Sequence, residues 1–274
     1  MKNCLITIII IYFLSFINLF SQNICYVMSN FIRPYKELTD ILNKNFKNTT
    51  FIVKAKNFWK IKSCNTVISF GEDTANLVRN KYYSNKKEYA YTFIGFKNSC
   101  KKLKKNEQVY FLQPEPDYIF ENVKNVIPFA NKWLVFYSKD LQKEYIETAI
   151  KFSAYYNIEI NPVYASKKVN LNKIIEKRDY NLFWFIPDPV YSSTYLISFI
   201  LEKLIFLKKF SVGFNEFFYN SGATVSFKID YKKTAELINK NLNSFKSGYF
   251  QFKYKILINK KNLRFLKSEF NKKD

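Results

Sequence analysis

Residues 66–71 read TVISFG, a short apolar run that stops at a glycine, and residues 72–82 follow with helical spacing. Glu72 and Asp73 open that helical stretch and suit the positive end of a helix dipole. Residues 182–186, LFWFI, repeat the pattern, and a long helical stretch begins near Ser192. Runs that are apolar on both faces are typical of parallel strands covered by helices. The two stretches therefore predict βα units.

The same alternation of short apolar runs and longer amphipathic segments continues along the chain, with a break near residues 128–131. It predicts an α/β fold of two doubly wound parallel-sheet lobes joined by a hinge. We expect an N-terminal lobe over 22–130 and a C-terminal lobe over 131–225. Residues 226–274 are expected to form a return crossover and a C-terminal segment that packs across the lobes. Ligands of open α/β sheets bind beyond the carboxyl ends of the strands, so two such lobes can close around a small molecule.

Residues 1–21, MKNCLITIIIIYFLSFINLFS, combine an early lysine, a long apolar run and a final small residue. This pattern is typical of a secretory signal peptide. An uncleaved N-terminal anchor is the alternative. Both interpretations predict an exported protein, either periplasmic or at the cell surface.

The chain is strongly basic: 44 lysines and arginines stand against 22 acidic residues, a formal net charge of +22. Its 48% hydrophobic and 19% aromatic content is too apolar for a disordered polycation. Because lysine is spread along the whole length, we expect no specific nucleic-acid binding. The sequence contains no histidine and no serine-hydrolase elbow, P-loop or dinucleotide fingerprint. We expect no enzyme, no catalytic residues, no cofactor and no metal.

Three cysteines follow the N-terminal segment: Cys25, Cys64 and Cys100. Export permits a disulfide. Since Cys25 falls within a strand-like run, the expected pair is Cys64 with Cys100. The odd count and the lack of a CxxC motif argue against a zinc site.

The order of motifs resembles the substrate-binding proteins of ABC transporters that have the periplasmic type I fold, in particular a branch linked to aromatic amino acid uptake. Similar motifs are Arg33-Pro34-Tyr35 at a helix start, a strand running into Pro187-Asp188, and Val212 to Glu216 followed by Gly222-Ala223. The loop after Gly71 is one residue longer than the family pattern.

The resemblance implies an extracytoplasmic solute-binding component of an ABC import system. Its partners would be a small, amino-acid-like solute and a membrane permease, and it would act as a monomer. The alternative is an exported sensor or surface-binding module on the same fold, without transport.

An amino-acid-like ligand would present a carboxylate and an ammonium to the mouth of the cleft. The turns at Gly71–Thr74 and Ser138–Asp140 offer helix N-termini to the carboxylate, with the hydroxyls of Thr74 and Ser138 as donors or as helix caps. An ammonium needs a carboxylate, from Asp188 or Glu216. We therefore expect ligand contacts from residues that follow predicted strands: Ser29, Asn30, Gly71, Thr74, Gln113, Ser138, Asp188, Asn215 and Glu216.

Overall fold

The structure is a computed structural model with two compact units. It describes residues 24–28, 33–44, 49–53, 61, 64, 66–81, 89–95, 97–100, 102–103, 105, 107–166, 170–244 and 247–271. The expected signal segment 1–21 lies outside them. Of the described residues, one unit comprises those within 24–111 and 231–250, and the other comprises those within 112–230 and 251–271.

The first unit is built on a six-stranded sheet in the order β11-β5-β4-β3-β1-β2. The pairs β1–β2, β1–β3, β3–β4 and β4–β5 are parallel. The strands are β1 Ile24–Met28, β2 Thr49–Val53, β3 Thr66–Phe70, β4 Tyr89–Ile94, β5 Glu107–Phe111 and β11 Gly248–Gln251. The helices described in this unit are α1 Arg33–Asn43, α2 Glu72–Lys81 and α8 Tyr231–Ser244.

The second unit has its own six-stranded sheet in the order β12-β10-β9-β8-β6-β7. It is parallel except for β12, which runs antiparallel to β10. The strands are β6 Lys132–Tyr137, β7 Glu159–Tyr164, β8 Leu182–Trp184, β9 Phe210–Gly213, β10 Val225–Ile229 and β12 Tyr254–Ile258. The helices are α3 Pro116–Val126, α4 Asp140–Ser153, α5 Leu171–Lys177, α6 Thr194–Phe206, α7 Glu216–Asn220 and α9 Lys260–Phe270.

These elements confirm the predicted α/β class with two parallel-sheet lobes. The strands β3 and β8 are buried at every residue, as continuous apolar runs require. The strand β11 was not predicted, and its residues GYFQ are half-buried at the sheet edge.

The boundary between the units differs from the expected one at residue 130. The chain enters the second unit at Leu112, so α3 belongs to that unit. The reason is packing, since Phe120 of α3 lies edge-on against Trp133 at 5.2 Å and Trp184 at 5.8 Å. The C-terminal part also divides, with 231–250 in the first unit and 251–274 in the second.

The expected pairing of Cys64 with Cys100 is wrong. The disulfide joins Cys25 to Cys64, whose Cα atoms are 5.9 Å apart, and Cys100 is a buried free thiol. Cys25 does lie on a strand, but it faces the same apolar cluster as Cys64, together with Val67 and Val78. Strand residues alternate between the two faces of a sheet, so a position on a strand does not exclude a disulfide.

No helix within the described residues combines the length and the apolar content needed to cross a bilayer.

Candidate functional site

The turn after β3 in the first unit is built on Gly71 and Thr74. Gly71 has φ +94°, a left-handed conformation that side chains with a Cβ rarely adopt. The Thr74 hydroxyl donates to the carbonyl oxygens of Phe70 at 2.6 Å and Gly71 at 3.0 Å. These bonds stay within the turn, so the Thr74 hydroxyl fixes the N-terminus of α2 at the carboxyl end of β3.

Glu72 crosslinks this turn to the loop after β4. Its Oε1 accepts from the Ser99 hydroxyl at 2.9 Å and the Gly95 amide at 3.3 Å. Burial, together with the negative charge of Glu72, raises the pKa of Tyr35 to about 12. The Glu72 carboxylate therefore links the segments that follow the neighbouring strands β3 and β4.

In the second unit, Ser138 and Asp188 meet at the carboxyl edge of the sheet although 50 residues separate them. The Ser138 amide donates to Asp188 Oδ2 at 2.7 Å, and its hydroxyl donates to Oδ1 at 2.5 Å. Oδ1 also accepts from the Val190 amide at 2.8 Å and so caps the short 3₁₀ helix Pro189–Tyr191. Asp188 is 8% exposed, so its carboxylate joins the loops after β6 and β8.

Gln113 lies close to the entry of the chain into the second unit and is buried. Its Nε2 donates to the Tyr145 hydroxyl at 3.0 Å, and that hydroxyl donates to the Pro114 carbonyl at 2.6 Å. Complete burial raises the pKa of Tyr145 far above its usual range. Gln113 therefore couples the segment before α3 to the middle of α4.

Asn215 and Glu216 follow β9. The Asn215 side chain accepts from the Phe217 amide at 3.0 Å and caps α7, and Glu216 forms a 2.6 Å ion pair with Lys228 of β10. This short helix can pack so closely because β9 ends in Gly213: a Cβ there would lie 2.1 Å from the Cβ of Phe218.

The structure brings some of the predicted site residues together within each unit. Gly71 and Thr74 share one turn, Ser138 and Asp188 share one hydrogen-bonded pair, and Asn215 and Glu216 share one helix start. Gln113 makes its own contacts beside α4. Ser29 and Asn30 lie outside the described residues.

Tyrosine rings at the carboxyl edge of the second sheet are the feature that sequence reasoning missed. Tyr137 and Tyr164, which end β6 and β7, pack edge to face with ring centroids 5.5 Å apart. Tyr118 and Tyr254 form a second pair at 6.1 Å, and Tyr254 starts the antiparallel strand β12. Because the chain has 21 tyrosines, their abundance does not show which of them line a site. Only their positions at the ends of strands distinguish Tyr137, Tyr164 and Tyr254.

Within the described residues, no three cysteine or acidic side chains are grouped closely enough to hold a metal ion.

Neither a family model nor a curated protein matches the sequence. Solved structures do match, at low identity. A substrate-binding protein with adhesive properties from Clostridium difficile, in a ligand-free, open structure, is 14% identical with a TM-score of 0.68 over 89% of this chain and 95% of that one. An ABC domain in complex with L-Trp from Streptococcus pneumonia is 16% identical, with a TM-score of 0.55 over 89% and 94%.

The fold is that of the type I periplasmic binding proteins. Regulators share it: a transcriptional activator of the comK gene from Bacillus halodurans is 13% identical, with a TM-score of 0.57 over 90% of this chain and 96% of that one. The matched proteins are thus binding proteins and regulators, and the fold alone does not choose between transport and sensing.

Proposed function

We propose that this chain is the extracytoplasmic solute-binding component of an ABC import system, and that it captures a small ligand between its two lobes by hinge closure. The observation that supports this most directly is the position of the polar residues. In both units the hydrogen-bonded turns follow the carboxyl ends of parallel strands, where open α/β sheets bind ligands.

The residues proposed for the ligand edge are Ser29, Asn30, Gly71, Thr74, Gln113, Ser138, Asp188, Asn215 and Glu216, and the contacts of the seven that the structure describes assign them different roles. Asp188 accepts three hydrogen bonds from its own unit, so we assign it to holding the Ser138 loop rather than to pairing with a ligand ammonium. Glu216 is neutralised by Lys228. The main-chain amides at the starts of α2 and α4 are the groups we expect to receive a ligand carboxylate.

The tyrosine pair Tyr137 and Tyr164 lies beside Ser138 along the same edge. Tyr164 is 55% exposed, which leaves an aromatic face available for a planar or apolar ligand group. An amino acid with an apolar or aromatic side chain therefore fits the chemistry proposed for this edge, and one of the matched structures contains L-Trp.

A thermal-shift screen of the purified chain against amino acids, purines and short peptides tests the proposal. A ligand that binds only the folded state at about 100 times its Kd should raise the unfolding free energy by about 2.7 kcal/mol. Ser138→Ala should weaken the binding of that ligand. The matched control is Ser153→Ala, which removes a buried hydroxyl bonded to Ile150 at the far end of α4 and should leave binding unchanged.

X-ray scattering with and without the ligand then measures closure as a fall in radius of gyration. A broad screen without a stabilising solute, or a ligand that leaves the scattering unchanged, contradicts solute capture by hinge closure. A ligand that closes the protein while no permease or ATPase co-purifies from the exporting cell supports the sensor alternative instead.

A further inference from the structure

The outer helices of the second unit are divided by charge. Crossovers of the same hand place α5, α6 and α7 on one face of the sheet, because β7, β8, β9 and β10 follow one another in the same direction. They place α4 on the other face, because β6 to β7 runs the opposite way. Gly222, which follows α7, lies close to both Ile205 of α6 and Asn262 of α9, so the start of α9 adjoins the end of α6. At the other end of α9, Phe270 stacks on Phe129, in the segment between α3 and β6, at 4.4 Å. The packing of α3 against α4 defines the second layer.

The first layer, α5, α6 and α7 with the adjoining α9, is basic, and the second layer, α3 and α4, is acidic. The first carries seven basic residues and four acidic ones, and the second carries three basic residues and five acidic ones. The basic residues of the first layer are Lys173, Lys177, Lys203, Lys260, Lys261, Arg264 and Lys267. Four of these seven lie on α9, so the excess positive charge of the helices in this unit is next to the end of α6.

An aromatic stripe runs along the exposed side of the basic layer. Tyr195, Phe199 and Phe206 of α6 stand at helical positions i, i+4 and i+11, which face the same way. They are 80%, 39% and 82% exposed. Phe265 of α9 is 46% exposed. A helix side that faces only water usually carries polar side chains, so three exposed aromatic side chains on one side of a helix indicate a binding surface.

We propose that this surface, the α6–α9 face, docks on an anionic phospholipid bilayer. Aromatic side chains partition into the interface of a membrane, and lysines beside them are attracted to anionic headgroups. A second copy of this chain would bring two basic faces together. Duplex nucleic acid would use the lysines but not the aromatic stripe, and a bilayer uses both.

Binding to vesicles tests the proposal in the purified chain, with phosphatidylcholine vesicles that contain or lack phosphatidylglycerol. Tyr195→Ser with Phe206→Ser should lower the partition coefficient on anionic vesicles by about tenfold or more. Lys261→Ala with Arg264→Ala should lower it by about fivefold for each charge. The matched controls lie on the acidic layer: Tyr155→Ser, at an 84% exposed tyrosine, and Lys143→Ala with Lys151→Ala should change it by less than about twofold.

A local readout keeps the test valid even if residues 1–21 bind the bilayer themselves. In the Phe206→Trp variant, brominated lipid in anionic vesicles should quench the fluorescence at position 206, and salt should restore it by releasing the protein. In the Tyr155→Trp variant, the fluorescence at position 155 should not be quenched. Equal losses in the face and control variants would overturn the proposal, as would equal binding to neutral vesicles. Binding to duplex DNA but not to vesicles, unaffected by the aromatic substitutions, would assign the charge to an acidic polymer and overturn it too.

Discussion

Asp188 shows how a single residue can be placed correctly by sequence while its role depends on its partners. A carboxylate after an apolar strand is a reasonable partner for a ligand ammonium. In the fold, both of its oxygens accept hydrogen bonds from Ser138 and Val190. The Val190 amide is a local cap contact, but the two Ser138 donors come from a loop 50 residues away, and no local pattern predicts them.

We expect Asp188→Ala to destabilise the second unit by about 2–3 kcal/mol, because three donors lose a charged acceptor in a buried position. Urea unfolding at neutral pH measures this. Ser138→Ala removes one of these bonds and should cost about 1 kcal/mol. A double variant whose loss is the sum of both single losses would show that the two residues are not coupled.

Tyr35 gives an alkaline prediction with a defined sign. Burial and the charge of Glu72 raise its pKa from the usual value of about 10 to about 12. The folded protein therefore holds this proton after the unfolded chain has released it. The stability that it contributes is complete below pH 10 and is lost as pH rises towards about 12.

Between about pH 10 and 12, the unfolding free energy should fall less steeply with pH in Tyr35→Phe than in the natural protein. The difference in slope should be up to about 1.4 kcal/mol per pH unit. Urea unfolding at a series of pH values measures the slope. At neutral pH, where both the folded and the unfolded chain hold this proton, removal of the single hydroxyl should cost no more than about 1.5 kcal/mol. An unchanged alkaline slope would contradict the role of Tyr35.

At the scale of elements, the disulfide ties β1 to the segment before β3. It closes a loop between residues 39 positions apart, a length for which crosslinking the unfolded chain stabilises a protein by about 2–4 kcal/mol. Cys25→Ala with Cys64→Ala should therefore lower the unfolding free energy by that amount.

Reduction of the natural protein with dithiothreitol should produce the same loss. Cys100→Ala serves as the control: it removes a buried thiol that closes no loop and should cost about 1 kcal/mol. Peptide mapping that finds Cys64 joined to Cys100, or a loss in Cys100→Ala as large as in the double variant, would contradict the assigned pairing.

The elements themselves were largely predictable because the chemistry that defines them is local. The run TVISF before Gly71 gave a strand and a turn, and LFWFI at 182–186 gave β8, which the structure bounds at Leu182–Trp184. Non-local choices were not predictable. The edge strand β11 has no continuous apolar run, and the partner of Cys64 depends on which face of β1 meets it.

At the scale of the whole molecule, the division into units rests on aromatic packing that the linear pattern does not show. The break in the alternation near residues 128–131 suggested a boundary after α3. Phe120 instead packs edge-on against both indoles of the second core, which also contact each other at 5.9 Å, and both tryptophans are at most 1% exposed. A boundary is set by where the large side chains are buried, and only the folded chain shows that.

This assignment predicts which unit each variant weakens. Phe120→Ala should cost about 3–5 kcal/mol, the usual loss for a large aromatic removed from a core. In hydrogen exchange measured peptide by peptide, the added exchange should appear in 131–230, while 66–81 and 107–111 keep their protection. The disulfide variant provides the opposite pattern, since Cys25 and Cys64 lie in the first unit. If Phe120→Ala weakened the first unit instead, α3 would belong there, and the boundary would return to the position that the loop signals indicate.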